Sequence, residues 1–238
     1  MNDRANEVLV SAHKVTKVYK IGKVEVHALR GVSLEVRSSD FLAVVGPSGS
    51  GKTTLLNLIG ALDSATDGQL KVLDKDVSKM SKRQRADLRL RSLGFVFQAY
   101  NLVPVLTAQE NVEFVLELQG VGSERSKRAR ETLEQLGLGE LADRRPSELS
   151  GGQQQRVAVA RAVVSRPKLV LADEPTANLD GENAEILLGM MQELNEQRGT
   201  TFIFSTHDPR VVAHAHRVVT LVDGRVANDQ RKEPTTGS

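Results

Sequence analysis

The 238 residues contain no cysteine and no tryptophan, and aromatic residues amount to 3% of the chain. Without cysteine there is no disulfide framework, no thiolate zinc site and no cysteine nucleophile. Five histidines are present, and no two have the HExxH spacing of a helical zinc site. So few aromatics argue against a base-stacking surface for RNA. Charge of one sign is also lacking: 32 Lys and Arg face 30 Asp and Glu, a formal balance of +2, too weak to imply a nucleic-acid partner. No apolar run approaches the roughly 18 residues that a membrane-spanning helix needs. The start, Met1-Asn2-Asp3-Arg4-Ala5-Asn6-Glu7, is polar and holds no apolar signal core, so the chain is expected to fold and stay in the cytosol.

What remains is an ordinary globular balance, 39% hydrophobic and 26% charged. The length suits one large domain, or one core with an inserted lobe. β-Formers between positions 8 and 36, punctuated by Gly22 and Gly31, predict short strands broken by turns. Phe41-Leu42-Ala43-Val44-Val45 is a continuous apolar run, as in a strand buried on both faces. Leu55, Leu58, Ile59 and Leu62 recur at helical spacing and predict a helix over 52–62. Beyond it the pattern predicts paired strands over 69–77, a helix up to 91 capped by Ser81, and a strand over 94–97. Residues 99–152 read as helical, with breaks near Pro104, Gly120, Gly137 and Pro146. Strands over 169–172, 200–205 and 218–222 then flank a helix over 182–197.

Strands alternating with helices argue for an α/β fold with a mainly parallel sheet. The expected division is a core at about 1–98 and 153–227, an inserted α-helical subdomain at about 99–152, and a frayed polar tail at 228–238. Two basic stretches, Lys79, Lys82, Arg83, Arg85, Arg89 and Arg91, then Arg125, Lys127, Arg128 and Arg130, read as solvated helix faces, because Asp87, Glu124 and Glu131 are interleaved with them.

Gly46-Pro47-Ser48-Gly49-Ser50-Gly51-Lys52-Thr53 fits G-x-x-x-x-G-K-[ST] in full, between a buried strand and a helix. Glycines let such a loop fold tightly around phosphate oxygens with its N–H groups pointing inward, and the helix start adds its positive end. Lys52 is placed to reach the β- and γ-phosphates, the Thr53 hydroxyl to ligate Mg²⁺, and Thr54 to bond a phosphate. About 120 residues later, Leu169-Val170-Leu171-Ala172-Asp173-Glu174 is an apolar strand ending in two carboxylates. A strand end beside a phosphate loop is where Mg²⁺ takes an acidic second contact, which suits Asp173. Glu174 is then placed to polarise an attacking water. Leu149-Ser150-Gly151-Gly152-Gln153 opens a good helix, and Ser150 with two glycines makes a second anion-binding helix start. One nucleotide needs only one such end; taken alone, the second reads as a simple helix cap.

With these motifs the sequence resembles the ATP-binding subunits of ABC transporters, over about 8–226. The resemblance implies a P-loop NTPase core of the RecA type with an N-terminal antiparallel β subdomain. It implies a head-to-tail homodimer with two ATP at the interface, where Ser150, Gly151, Gly152 and Gln153 of one subunit contact the ATP held by the other. By the same resemblance Tyr19 stacks on adenine and Gln98 touches Mg²⁺ and responds to the transmembrane partner. Asn178-Leu179-Asp180 crosses the dimer interface, and His207, in Ser205-Thr206-His207-Asp208, senses the γ-phosphate. The implied ligands are ATP and Mg²⁺, and the implied partner is an integral membrane permease that holds the chain at the cytoplasmic face of the inner membrane; no nucleic acid is expected.

His13, His27, His214 and His216 match no family site and read as structural. Ser39-Asp40 replaces a Gly-Glu pair common in the family, a change expected to affect a turn and not the chemistry. A finer resemblance, to ATPases of the lipoprotein-release and macrolide-export type, rests on Gly22-Lys23-Val24-Glu25-Val26-His27-Ala28-Leu29-Arg30-Gly31-Val32, Gly94-Phe95-Val96-Phe97-Gln98, Asn101-Leu102-Val103-Pro104 and Leu106-Thr107-Ala108-Gln109-Glu110-Asn111-Val112. That subgroup includes cell-division ATPases, so a transport motor and a regulatory ATPase that gates a membrane partner both stay open. A soluble ABC ATPase acting without transport usually carries a second cassette or a long coiled-coil insertion, and neither fits in 238 residues.

Overall fold

The computed structural model describes residues 7–232. The polar start, 1–6, and the end of the expected tail, 233–238, lie outside the described residues. In chain order the strands are β1 (Val8–Ile21), β2 (Val24–Arg37), β3 (Phe41–Val45), β4 (Asp67–Val72), β5 (Lys75–Asp76), β6 (Leu93–Val96), β7 (Leu169–Asp173), β8 (Thr201–Ser205), β9 (Arg217–Val222) and β10 (Arg225–Arg231). The helices are α1 (Lys52–Ile59), α2 (Lys82–Ser92), α3 (Ala108–Leu118), α4 (Glu124–Gln135), α5 (Gly151–Val163), α6 (Gly181–Arg198) and α7 (Pro209–His214).

Two sheets result. An antiparallel sheet has the order β2-β1-β4-β5, and a six-stranded sheet has the order β10-β9-β3-β8-β7-β6. In the second, β9, β3, β8, β7 and β6 run parallel and β10 returns antiparallel along β9. This is the mainly parallel α/β core with an antiparallel β subdomain. One apolar core fills the space between the two sheets around α1, with Leu29, Leu55, Leu58 and Leu70 fully buried. A second joins the parallel sheet to α3, α4, α5 and α6, through Phe41, Phe202 and Phe204, whose rings lie 4.8–5.9 Å apart.

Three expectations need correction. The stretch 8–36 is not a set of short strands but two long ones of 14 residues each. Their twist is taken up by register shifts near Ala12, Val15 and Lys17, so the breaks in the pattern are bulges inside continuous strands. Gly31, at φ +89, lies within β2 and does not end it. The first helix stops at Ile59, before Leu62, because Ala61 turns left-handed at φ +53. Residues 228–231 are not frayed: they complete β10, with Asn228 opposite Thr220 and Arg231 opposite Arg217.

Charge explains that last correction. Asp40 is 6% exposed, and its carboxylate accepts from the Arg37 N–H at 2.9 Å and from Arg217 at 3.1 Å, and pairs with Arg231 at 3.1 Å. Arg217 also donates to the Glu35 carbonyl at 2.7 Å and forks onto Asp229 at 2.8 and 2.7 Å. The Asp229 hydrogen bonds, against the cost of burial, hold the Arg217 guanidinium above its ordinary value. A polar edge strand is thus pinned by ion pairs along its second half, with Val226 packed on the apolar core near its start. Asp40, expected to matter only for a turn, is the anchor. The two basic stretches are also more than solvated faces: Arg89 donates to the Ala61 carbonyl at 2.6 Å and Arg128 to the Val164 carbonyl at 2.9 Å, while Arg91 and Arg125 pair with Asp87 and Glu113.

Removing one partner of a buried pair strands the other. Arg217→Met is expected to destabilise the fold by about 3–5 kcal/mol in urea unfolding, because it leaves the buried Asp40 with only the exposed Arg231 and the Arg37 N–H, and leaves Asp229 without its fork. The double change with Asp40→Asn is expected to recover part of that loss.

Candidate nucleotide site

The buried strand β3 delivers its chain directly into the phosphate loop. Gly46 is at φ +149, and a Cβ there would lie 2.1 Å from the Leu221 carbonyl oxygen. Gly51, at φ +103, would place a Cβ 2.6 Å from the Ala28 carbonyl. No other residue fits at either position, and both constraints come from segments outside the loop. Pro47, Ser48 and Gly49 form the exposed crest. Ser50 is 2% exposed and its Oγ has no hydrogen-bond partner among the described residues. The Lys52 ammonium folds over the loop and donates to the carbonyls of Gly46 at 2.9 Å and Pro47 at 3.1 Å. Gly51 gives α1 no side-chain cap, so its first N–H groups stay open to an anion.

The Thr53 hydroxyl lies 3.2 Å from Asp173 Oδ1, which brings together two residues 120 positions apart. A hydroxyl and a carboxylate are hard oxygen donors of the kind Mg²⁺ takes. The open helix start, the orphaned Ser50 hydroxyl and this oxygen pair fit a Mg²⁺–nucleoside triphosphate.

Glu174 follows β7 at φ +46, a conformation that costs a non-glycine residue of order 1–3 kcal/mol. Its N–H donates to the Ser205 carbonyl at 2.8 Å, which fixes the turn. Its carboxylate accepts from the Thr206 hydroxyl at 3.1 Å and lies 2.7 Å from His207 Nδ1. Glu174 is 16% exposed and His207 76%, so the imidazole covers the carboxylate from the solvent side. Beneath them the Asp208 carboxylate accepts from Arg210 at 2.7 Å and Thr176 at 2.6 Å, and the Thr206 hydroxyl accepts from the Asp208 N–H at 2.9 Å. The Arg210 hydrogen bond outweighs burial and, helped by Thr176, brings Asp208 down to about 2.

Tyr19 sits on β1 with its phenol 3.0 Å from Asp63, while the Lys17 ammonium lies 4.8 Å above its ring and 2.7 Å from Asp63. Burial, then the Asp63 contact, raises the phenol above its ordinary value. Burial would raise Asp63 as well, but the Lys17, Ser64 and Tyr19 hydrogen bonds overcome it and hold the carboxyl below its usual range. The Thr54 side chain works against the rise of the Tyr19 phenol and draws it down. Gln98 is exposed and stands two residues beyond the end of β6; its backbone carbonyl accepts from Asn178 Nδ2 at 2.9 Å.

The second helix start stands apart. Ser150 caps α5 reciprocally with Gln153, at 2.8 and 3.3 Å. A Cβ on Gly151 would meet the Tyr100 hydroxyl at 2.8 Å, and one on Gly152 would meet Asn183 Oδ1 at 2.5 Å. Asn183 is itself held by Asp180, which caps α6. The Asn183 N–H keeps the Asp180 carboxyl below its ordinary value. Among the described residues no hydrogen bond joins 150–153 to 46–54. The remaining histidines lie elsewhere: His214 bonds Gln192 and Glu185, and His216 packs on the Phe41 ring.

Sequence reasoning gave no role to Thr176, Asp208, Arg210, Lys17 or Asp63: Lys17 and Asp63 hold Tyr19, while Thr176 and Arg210 hold Asp208, whose N–H in turn donates to Thr206. A depressed carboxyl contributes stability that is complete above its unfolded value and is lost as pH falls through the folded one. The stability difference between wild type and Asp208→Asn is therefore expected to be full above about pH 4 and to vanish toward about 2; chemical denaturation along a pH series measures it.

The family described as ABC transporter matches residues 29–177. An uncharacterised ABC transporter ATP-binding protein of Thermotoga maritima is 47% identical over 219 residues, covering 92% of this chain and 93% of that protein. A macrolide export ATP-binding/permease protein of Syntrophobacter fumaroxidans is 46% identical over 97% of this chain, which spans only 32% of that relative's length. The ATP-binding cassette MJ0796 of Methanocaldococcus jannaschii, solved as a dimer bound to ADP and Pi, superposes with a TM-score of 0.87 at 40% identity, covering 94% of this chain and 99% of that one. By sequence and by fold, the chain belongs to the ABC transporter family, as one of its ATP-hydrolysing cassettes.

Proposed function

We propose that this cassette works as a head-to-tail homodimer in which each ATP lies between the phosphate loop of one subunit and residues 150–153 of the other. The observation that carries this reading is the start of α5, capped by the exposed Ser150, which among the described residues has no hydrogen bond to its own chain's phosphate loop. The dimeric form of the MJ0796 cassette supports it.

In this reading Tyr19 supports the base, and the loop from Gly46 to Thr54 holds the phosphates with Lys52 turned toward the β- and γ-positions. Thr53, Asp173 and Gln98 would hold Mg²⁺, which would supply positive charge against the phosphate oxygens. Glu174 accepts the proton of the attacking water, while Thr206 and His207 fix the carboxylate's direction. Asp180 belongs to the loop that meets the other subunit. Domain roles follow: 1–98 and 153–227 hold the nucleotide, and 99–152 carries the partner's contacts.

The dimer in turn drives a separate integral membrane permease, which keeps the cassette at the cytoplasmic face of the membrane. Matches to macrolide export proteins favour export or lipoprotein release as the work done. A regulatory ATPase that gates its membrane partner without moving cargo remains the second reading, favoured by the same subgroup patterns at 22–32 and 101–112. The segment 98–112 offers an apolar contact to the permease: Val105 is 74% exposed, whereas Leu102 packs on the core.

Glu174→Gln keeps shape and removes the base. Turnover is expected to fall by about 10²–10⁴-fold, with ATP bound and the dimer accumulating on size exclusion; wild-type turnover would remove Glu174 from the mechanism. The shared site has its own test. Lys52→Ala and Ser150→Arg homodimers each have two broken sites, while a mixed dimer has one whole site. Free exchange makes about half of the dimers mixed, so activity is expected to rise above both parents. Loss of ATP binding by Ser150→Arg as complete as that of Lys52→Ala would place Ser150 in its own chain's site.

A further inference from the structure

The loop that leaves β6 is irregular, with Gln98 and Asn101 exposed and Asn101 at φ +51. Its backbone is nevertheless held carbonyl by carbonyl. The Phe97 carbonyl accepts from Gln155 at 3.4 Å and the Gln98 carbonyl from Asn178 at 2.9 Å. The carbonyls of Tyr100 and Asn101 accept from the two terminal nitrogens of Arg161, at 2.9 and 2.5 Å. Two of these three side chains project from α5, the helix that opens at Ser150. The third lies in the turn after β7.

Arg161 is the unusual member. Burial lowers its guanidinium below the ordinary value, and no carboxylate pairs with it among the described residues. A half-buried cation held only by carbonyl dipoles is costly, and an apolar side chain of similar volume often packs there at no loss. What the guanidinium supplies is its planar fork, which spans two consecutive carbonyls and so sets the direction of the loop as well as its position. Gln155 adds a second tie from the same helix. It is fully buried, donates to the Pro175 carbonyl at 2.7 Å, and its own oxygen has no partner among the described residues. One rigid helix thus touches the loop of Gln98, the turn after Glu174 and, at its start, Ser150.

We propose that Arg161 is a positioning residue for the Gln98 loop: its fork holds that loop in register with α5, so that the loop cannot move without displacing the helix that presents residues 150–153. The inference rests on the reading of Gln98 and Ser150 given above.

The test uses the full chain and three variants, Arg161→Met, Arg161→Lys and Gln98→Ala, with kcat, ATP affinity by a fluorescent nucleotide, melting, and amide hydrogen exchange. Arg161→Met is expected to melt cooperatively and to bind ATP as wild type. Its kcat is expected to fall about 10–100-fold, since a misplacement of the order of an ångström is felt at that scale. Amides at 98–103 should exchange faster while those at 46–54 do not change. Arg161→Lys, which keeps the charge but can satisfy only part of the fork, should recover part of the rate. The proposal is overturned if Arg161→Met turns over within twofold of wild type while Gln98→Ala is impaired. It is also overturned if both Arg161 variants lose ATP affinity and cooperative melting along with turnover, which marks a scaffold residue. If Arg161→Met does not fold, Arg161→Lys decides by the same split of kcat against affinity. Wild-type turnover by Gln98→Ala instead sinks the reading of Gln98 on which the inference stands.

Discussion

The register of three adjacent parallel strands is the constraint on which the site depends. Ser205 at the end of β8 stands opposite Val44 of β3 on one side and Asp173 of β7 on the other. Three chains therefore leave the sheet at one level: β3 into the phosphate loop, β7 into Glu174, and β8 into Thr206 and His207. The backbone carries this level past the last paired residues. Thr206 donates to the Val44 carbonyl at 3.1 Å and Glu174 to the Ser205 carbonyl at 2.8 Å. A slip of one residue in either pairing would turn Asp173 to the other face of the sheet and part it from Thr53. The strands are buried on both faces, so such a slip would also exchange the side chains packed into the two cores, and the fit of those cores enforces the alignment that the chemistry needs.

Once the level is set, local structure is made to fit it at some cost. Glu174 is held left-handed, Gly46 admits no side chain beneath the Leu221 carbonyl, and Asp208 is kept charged in a nearly enclosed position. Two of these are compensated by named partners: the Ser205 carbonyl for Glu174, and Arg210 with the more distant Thr176 for Asp208. Strain persists at functional sites where the surroundings over-determine it. That is the arrangement here, since the buried sheet on one side and α7 on the other leave the turn at Glu174 little freedom.

How much of this the sequence disclosed follows from where the partners lie. Lys52, Thr53, Asp173 and Glu174 were legible because their chemistry is written in contiguous residues at the ends of apolar runs. Ser81 and Ser150 were legible because a cap and its N3 partner are three residues apart. Asp40, Gln155 and Arg161 were not, because each meets side chains or carbonyls of segments remote in the chain, and a polar side chain carries no mark of a remote partner. Gln155 left one trace: it lies on the same helical stripe as the buried Ala158, Val159 and Ala162, where a polar residue needs a reason. The misread strands have a different cause. Gly31 looked like punctuation but occupies a bulge, and the polar residues of β10 looked like a tail because the half of an edge strand that ion pairs pin needs no apolar face.

Packing also sets the helical subdomain apart from the nucleotide loop. Its apolar residues pack on α5 and α6 and on one face of the parallel sheet, whereas the phosphate loop and α1 belong to the core between the two sheets. The two cores share the sheet but not their helices. A shift of the subdomain therefore acts first on α5 and on the loop after β6, and reaches Asp173 and Glu174 through polar ties such as Gln155 to the Pro175 carbonyl. Such ties are directional and few, so they fix relative position at small cost to either core. The sheet is thus shared by two apolar cores, and the polar ties add a direction at the catalytic turn that apolar packing alone does not supply.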